Sequence, residues 1–314
     1  MSDRASISNI IKLSIPIFFA NLVIPLVAIV DTGLMGNLDN ASYLTATSIA
    51  TSVFSLIFWS FGFLRMGTVG LVAQAHGSNQ YEEIVNLVFQ NIAFVIIISL
   101  LLVIFQKYIF TIALSIFDLS NETSKYFKEY FEIRIYSSFG ELIIFIITGL
   151  FIGLQRTTIS SVVVGFFSIT NIVLSLIFVI SFDLDVRGVA LGTVISSTLT
   201  AIIFLCYTFF ELQKFTSIKI NIAKIFNLKK IQKLFNINLD IFIRSALLTF
   251  SFIFFTYLGN TISEDIVAAN TILLNLIMLS AFILDAYAFS TEGIVGYSIG
   301  SKDKKLLTNV IKNS

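Results

Sequence analysis

Few side chains in this sequence can do chemistry, and most of them stand inside long apolar runs. Asp31 ends one such run, in Ile29-Val30-Asp31-Thr32-Gly33. An ionisable group within a membrane span is costly unless paired or hydrated, and it marks a functional position by default. Pro25, six residues earlier, has no amide hydrogen and favours a kink. A carboxyl on a bendable helix suits a proton or Na⁺ site, and in a poorly hydrated cavity it can exchange a proton near neutrality. Equally, Asp31 can simply mark the outer membrane edge. Asn171 and Ser175 interrupt another run and, four residues apart, share a helix face. Thr193, Ser196 and Ser197 follow the Gly188–Gly192 pair in a third. Small residues spaced in this way usually serve close helix packing. The functional alternative is that Asn171 and Thr193 join Asp31 around Na⁺, which prefers oxygen ligands as the hard divalent ions do.

Three further acids are candidates for a substrate cavity. Glu141 follows Gly140 deep in an apolar stretch, while Asp285 and Glu292 are seven apart and so lie on one helix face. Glu132 and Arg134 open the stretch that holds Glu141 and are expected to pair with other helices or snorkel. Asp240 and Arg244 have the spacing of a helix-surface ion pair. The single histidine, His76, is expected to be solvated at a loop. With one histidine and one cysteine, Cys206, neither a zinc site nor an intrachain disulfide is expected.

These groups are carried by a chain that is 56% apolar and 12% charged, with a mean hydropathy of +0.93. Soluble domains carry about 25% charged residues. One compact core cannot bury this surplus, so lipid must solvate much of it. An ordinary cytosolic enzyme, a nucleic-acid binder and a disordered chain are excluded, and a net charge of +1 points to no polyanionic partner. Eight stretches are long enough to span a bilayer: 10–31, 43–75, 84–106, 128–154, 157–181, 187–210, 237–259 and 265–299. With the N-terminus inside, 13 Lys and Arg residues fall in inner segments and 4 in outer ones. The positive-inside bias therefore predicts a multi-pass inner (plasma) membrane protein with a cytoplasmic N-terminus. The stretch 213–234 mixes six lysines with apolar residues and reads as a basic linker on the inner membrane face.

Displacing the sequence by 223 residues aligns Gly36-Asn37 with Gly259-Asn260, Thr68 with Thr291, Gly70 with Gly293 and Gly77-Ser78 with Gly300-Ser301. Internal repeats build secondary transporters. An even number of spans per copy makes the repeat parallel. The expected architecture is an all-α polytopic bundle, with a six-helix lobe at 1–212, a linker at 213–236 and the first two helices of a second lobe at 237–314. Ser314 maps onto Asn91, so the second copy is expected to be cut short, as in a truncated or partial reading frame.

Several ordered segments resemble the MATE (multidrug and toxic compound extrusion) family, and within it the DNA-damage-inducible protein F branch. They include Val30-Asp31-Thr32-Gly33, Phe63-Leu64-Arg65-Met66-Gly67-Thr68, Gly153-Leu154-Gln155-Arg156, Asn171-Ile172-Val173-Leu174 and Gly188-Val189-Ala190-Leu191-Gly192-Thr193. The resemblance implies twelve helices in two lobes and export of cationic or amphipathic organic compounds by H⁺ or Na⁺ antiport with alternating access. The coupling ion would bind at Asp31, Asn171 and Thr193, with Ser175 a further coupling residue whose hydroxyl can ligate Na⁺ or hydrogen-bond. No cofactor beyond that ion, no enzyme activity and no obligate protein partner is implied, unless a missing C-terminal half is separately encoded. The branch usually has an aspartate where this chain has Ser175, which weakens a two-carboxylate proton relay. Two other readings stay open: a lipid-linked oligosaccharide flippase of the same superfamily, and a fragment that transports nothing.

Overall fold

In the computed structural model, residues 5–38, 40–117, 119–215, 239–248, 250, 251, 254, 255, 258 and 264–314 are described, and no strand occurs among them. The basic linker expected at 213–234 lies mostly outside these residues. So does much of the seventh predicted span, of which residues 239–248 are helical.

The helices are α1 (Ile7–Gly36), α2 (Ala41–Ser60), α3 (Phe63–Gly77), α4 (Tyr81–Ile104), α5 (Gln106–Ile116), α6 (Asn121–Arg134), α7 (Ser137–Gly153), α8 (Thr157–Leu176), α9 (Asp185–Gln213), α10 (Glu264–Gly300) and α11 (Lys304–Asn313). A π-helical segment, Ile177–Ser181, extends α8. Side-chain caps fix several starts: Ser6 accepts from the Asn9 amide at 3.2 Å and Ser120 from the Thr123 amide at 3.1 Å. Among the described residues, five helical stretches are long and apolar enough to cross a membrane, and a sixth results if α6 and α7 count as one span.

Two predicted spans are broken. The second divides at Phe61–Gly62 into α2 and α3. The fourth divides into α6 and α7, which bend by 51° relative to each other. Composition explains that bend. Lys128 and Glu132 on α6 form an exposed pair at 3.8 Å and favour water. By contrast, Leu142, Ile143, Ile146, Ile147, Leu150 and Phe151 of α7 are all essentially buried. A helix apolar on every side belongs at the centre of a bundle, and α7 packs against α3, α4, α8 and α9. Ile97, Leu100, Leu101 and Ile104 of α4 remain exposed, the face expected of a helix solvated by lipid.

Helices α1 and α3 both pack on α10. The α3–α10 crossing joins positions that the 223-residue displacement aligns. A methyl group on Gly77 would collide with the Tyr297 carbonyl, and one on Gly300 with the Gln74 carbonyl. Gln74 and Tyr297 are themselves equivalent under that displacement, so the two contacts are reciprocal. A Cβ on Gly296 would come within 2.6 Å of the Cβ of Ala73, its own equivalent. The two helices therefore meet about a local two-fold axis, at a distance only glycine permits.

Candidate functional site

Helices α1, α8 and α9 bring together four of the side chains singled out in the sequence. On α8, Asn171 and Ser175 are buried on one face. The Asn171 amide nitrogen donates to Thr193 Oγ1 at 2.8 Å and lies 3.4 Å from Ser196 Oγ, both on α9. Thr193 in turn donates to the Val189 carbonyl at 3.1 Å. Thr193 thus anchors the amide and keeps its hydrogen on the backbone. A Cβ on Gly192 would lie 2.8 Å from Ser175 Oγ, so glycine there lets α9 close onto the hydroxyl. Asp31 of α1 faces Ser175 and stands in the field of Arg134.

The accounting of oxygen atoms is the informative part. Asp31 Oδ1, Asn171 Oδ1 and Ser175 Oγ are all buried and, among the described residues, meet no partner at hydrogen-bond geometry, although the Ser175 hydroxyl faces the Asp31 carboxyl. A buried polar atom without a partner is expensive. Asn171 and Ser175 share one face of α8, which packs on α1, so these oxygens line the α1–α8 seam as a set of acceptors. That donor set fits a small hard cation or a proton. Among the described residues, no group of three or more His, Cys, Asp or Glu side chains could hold a metal, so neutral oxygens would have to complete any ion site here.

Glu141 sits elsewhere, in an ion pair. Arg134, at the end of α6, meets Glu141 on α7 at 2.5 Å, with both side chains almost wholly buried. Ser137 accepts from Arg134 and donates to Glu141 Oε1 at 2.9 Å. The guanidinium also lies over the rings of Phe54 and Phe58 of α2, at 5.1 and 5.2 Å. Tyr130, buried one turn before Arg134, interacts with it and with Thr51.

Asp285 and Glu292 form a separate group on α10. Phe289 lies between them on the same face, and Arg65 of α3 stacks on its ring with Cζ 4.1 Å from the centroid. Both acids feel the charges of Arg65 and Arg244. Glu292 is half-buried and Asp285 exposed. The expected Asp240–Arg244 pair does not form, and Arg244 instead approaches Met66 Sδ at 3.3 Å. His76 also departs from expectation. It is half-buried between two tyrosine rings, with centroids 5.3 Å from Tyr297 and 6.0 Å from Tyr81, because the close α3–α10 crossing brings Tyr297 alongside it.

Comparison with known proteins follows the same lines. Residues 16–177, more than half of the chain, match the MatE family profile. The chain belongs to the MatE family. This MatE chain is 31% identical over 300 residues to DNA damage-inducible protein F of Escherichia coli (strain K12), which covers 95% of the chain and 65% of the relative. It is 24% identical over 242 residues to the multidrug export protein MepA of Staphylococcus aureus, covering 76% of the chain and 52% of MepA. The chain therefore spans less than two thirds of the length of these relatives. Its fold matches an outward-facing multidrug resistance MATE transporter of the MOP superfamily with a TM-score of 0.85, at 20% identity over 97% of this chain and 68% of that one. A MATE structure in the bent conformation gives 0.88 at 21% identity, covering 99% and 69%. The MatE chain is thus a multi-pass helical membrane protein.

Sequence reading missed Tyr130, Ser137 and the buried Arg134–Glu141 pair. Opposite charges seven residues apart were visible, but the intervening break at Ile135–Tyr136 was not. That break, not helical periodicity, sets their contact.

Proposed function

We propose that this MatE chain belongs to a secondary transporter that exports cationic or amphipathic organic solutes in exchange for H⁺ or Na⁺ across the inner membrane. The observation that carries the reading is the set of unpartnered buried oxygens of Asp31, Asn171 and Ser175. In this reading Asp31 supplies the charge, Asn171 and Ser175 supply neutral oxygens, and Thr193 orients the Asn171 amide. Coupling requires ion and cargo to favour different conformations. Pro16 and Pro25 within α1 give that helix two places to change shape when Asp31 gains or loses its cation. MepA, a relative, is named a multidrug export protein, which supports small organic cargo. The phenylalanine-rich bundle suits amphipathic molecules, and Asp285 and Glu292 on one face of α10 are the acids that could meet a cationic cargo, Glu141 being paired with Arg134. The N-terminus would face the cytoplasm.

A lipid-linked oligosaccharide flippase would need cationic side chains free to hold pyrophosphate. Arg134 is committed to Glu141, and Arg65 lies stacked on Phe289 between two acids, so export is the better supported reading. The deciding experiment places the chain in lipid vesicles and follows a fluorescent organic cation after an imposed Na⁺ or H⁺ gradient. Ion binding is read in parallel as cation-dependent thermal stabilisation. Asp31→Asn should abolish both responses, and retention of both overturns the proposal. Ion binding with no flux at all would instead mark a fragment that transports nothing.

A further inference from the structure

Four buried residues of α1, Ile10, Ser14, Ile17 and Asn21, follow one another at intervals of four, three and four, the spacing of a single helix face. Each meets α10 in turn. Ile10 shares a buried apolar cluster with Ile294, and Ile17 shares one with Ala286 and Phe289. The Ser14 and Ser290 hydroxyls lie 3.1 Å apart. The Asn21 amide nitrogen donates to the Phe282 carbonyl at 3.3 Å. The α10 positions descend as those of α1 ascend, so the two helices run antiparallel in a fixed register. The start of α1 is held as well. Asn313, at the end of α11, donates to the Ala5 carbonyl at 2.7 Å, and the Tyr287 hydroxyl of α10 donates to the Asn313 carbonyl at 2.7 Å.

The other end of α1 has different neighbours. Met35 is fully buried in the main core, with Ala46 and Phe54 of α2 and Leu142 of α7, and a methyl group on Gly36 would lie 3.9 Å from Leu44 of α2. Between the two ends the packing is open. From Leu22 to Leu34 no residue is buried as a whole, and Ile24, Leu26 and Ile29 are exposed. A methyl group on Gly33 would meet nothing within 4 Å. Pro25 falls in this stretch and leaves the Asn21 carbonyl without its helical donor. Few packing contacts and an interrupted hydrogen-bond ladder mark the part of a helix that yields first.

We infer that α1 is shared between two moving parts: residues 5–21 travel with α10 and α11, the end at Met35 travels with α2, and Ser14 and Asn21 are the positioning residues that fasten the first part to α10. Any displacement of α10 against α2 is then taken up between Leu22 and Leu34, the stretch that carries Asp31. Apolar contacts alone would let the helices slide, because lipid solvates an isoleucine as well as a neighbouring helix does. The two interhelical hydrogen bonds fix the register instead, since a serine or asparagine parted from its partner is poorly solvated in hydrocarbon. The inference deepens the exchange reading and rests on it only for what the movement serves, because the contacts that define it involve neither ion nor cargo.

Spin-label distances in lipid nanodiscs test this in the full chain, with Cys206→Ser as background. Phe19 of α1, Leu284 of α10 and Val162 of α8 are exposed and can carry labels without entering the core. The Phe19–Leu284 distance should be single and narrow. The Phe19–Val162 distance, to a helix that also packs on α1, should be broad or divided between two values. Ser14→Ala with Asn21→Leu should broaden the first distance until it resembles the second. A substitution that merely destabilised the bundle would lower the unfolding temperature and leave both widths as they were. A broad Phe19–Leu284 distance, two equally narrow distances, or widths unchanged in the double variant overturn the inference. If the double variant does not fold, Asn21→Ser alone is read in the same way. A second measurement joins Ser14→Cys to Ser290→Cys as a disulfide. Flux of the organic cation in vesicles should be unchanged, because the joined positions never part. Flux lost on oxidation and restored by reductant overturns the inference and leaves the exchange reading standing. Absence of flux in the unsubstituted chain overturns the exchange reading alone, and the two distances still decide the inference.

Discussion

Two polar clusters interrupt this apolar bundle, and they differ in where their positive charge comes from. Between α3 and α10, Asp285 and Glu292 face Arg65 and Arg244, and the Arg65 guanidinium rests on the Phe289 ring. That group carries its cations within the chain. Between α1, α8 and α9, Asp31 faces the Ser175 hydroxyl, and one oxygen each of Asp31, Asn171 and Ser175 meets no partner among the described residues. The arginine whose field reaches it, Arg134, is ion-paired to Glu141. Internal compensation is what distinguishes the two clusters, and under the proposed function the uncompensated one would take the coupling ion.

The largest expected effect tests that contrast directly. Asp31→Asn should reduce gradient-driven flux to background, whereas Glu292→Gln should leave a measurable rate. Equal losses in a vesicle assay would erase the distinction between the clusters. Next comes the glycine crossing that holds α10 against α3. Gly77→Leu must push the Tyr297 backbone away, and should destabilise the chain by about 1–3 kcal/mol, seen as a lower unfolding temperature and loss of α3–α10 cross-linking. Smaller is Thr193→Val, which removes the oxygen that anchors the Asn171 amide at 2.8 Å. It should cost about 1 kcal/mol of cation affinity, whereas a similar loss of affinity from Phe289→Leu would show that the α10 cluster also holds the ion. Smallest is Lys128→Gln, which breaks an exposed pair on α6. Its effect should stay within about 0.5 kcal/mol, and a larger change in melting temperature would mean that α6 is less open to water than its exposure indicates.

The sequence by itself determined that the chain is helical and lipid-solvated. It also showed that Asn171 and Ser175 share a face and that two segments repeat at a separation of 223 residues, because all of this is written in local periodicity and composition. It did not reveal that α6 and α7 bend at Ile135–Tyr136, or that the repeated glycines at 77 and 300 pack reciprocally. Nor did it place His76 between Tyr81 and Tyr297, or Arg134 on Glu141. Each of these depends on which helices become neighbours. Pairing of charges and satisfaction of polar atoms are decided between helices, across distances in sequence that local rules do not reach, and only the packed bundle sets them.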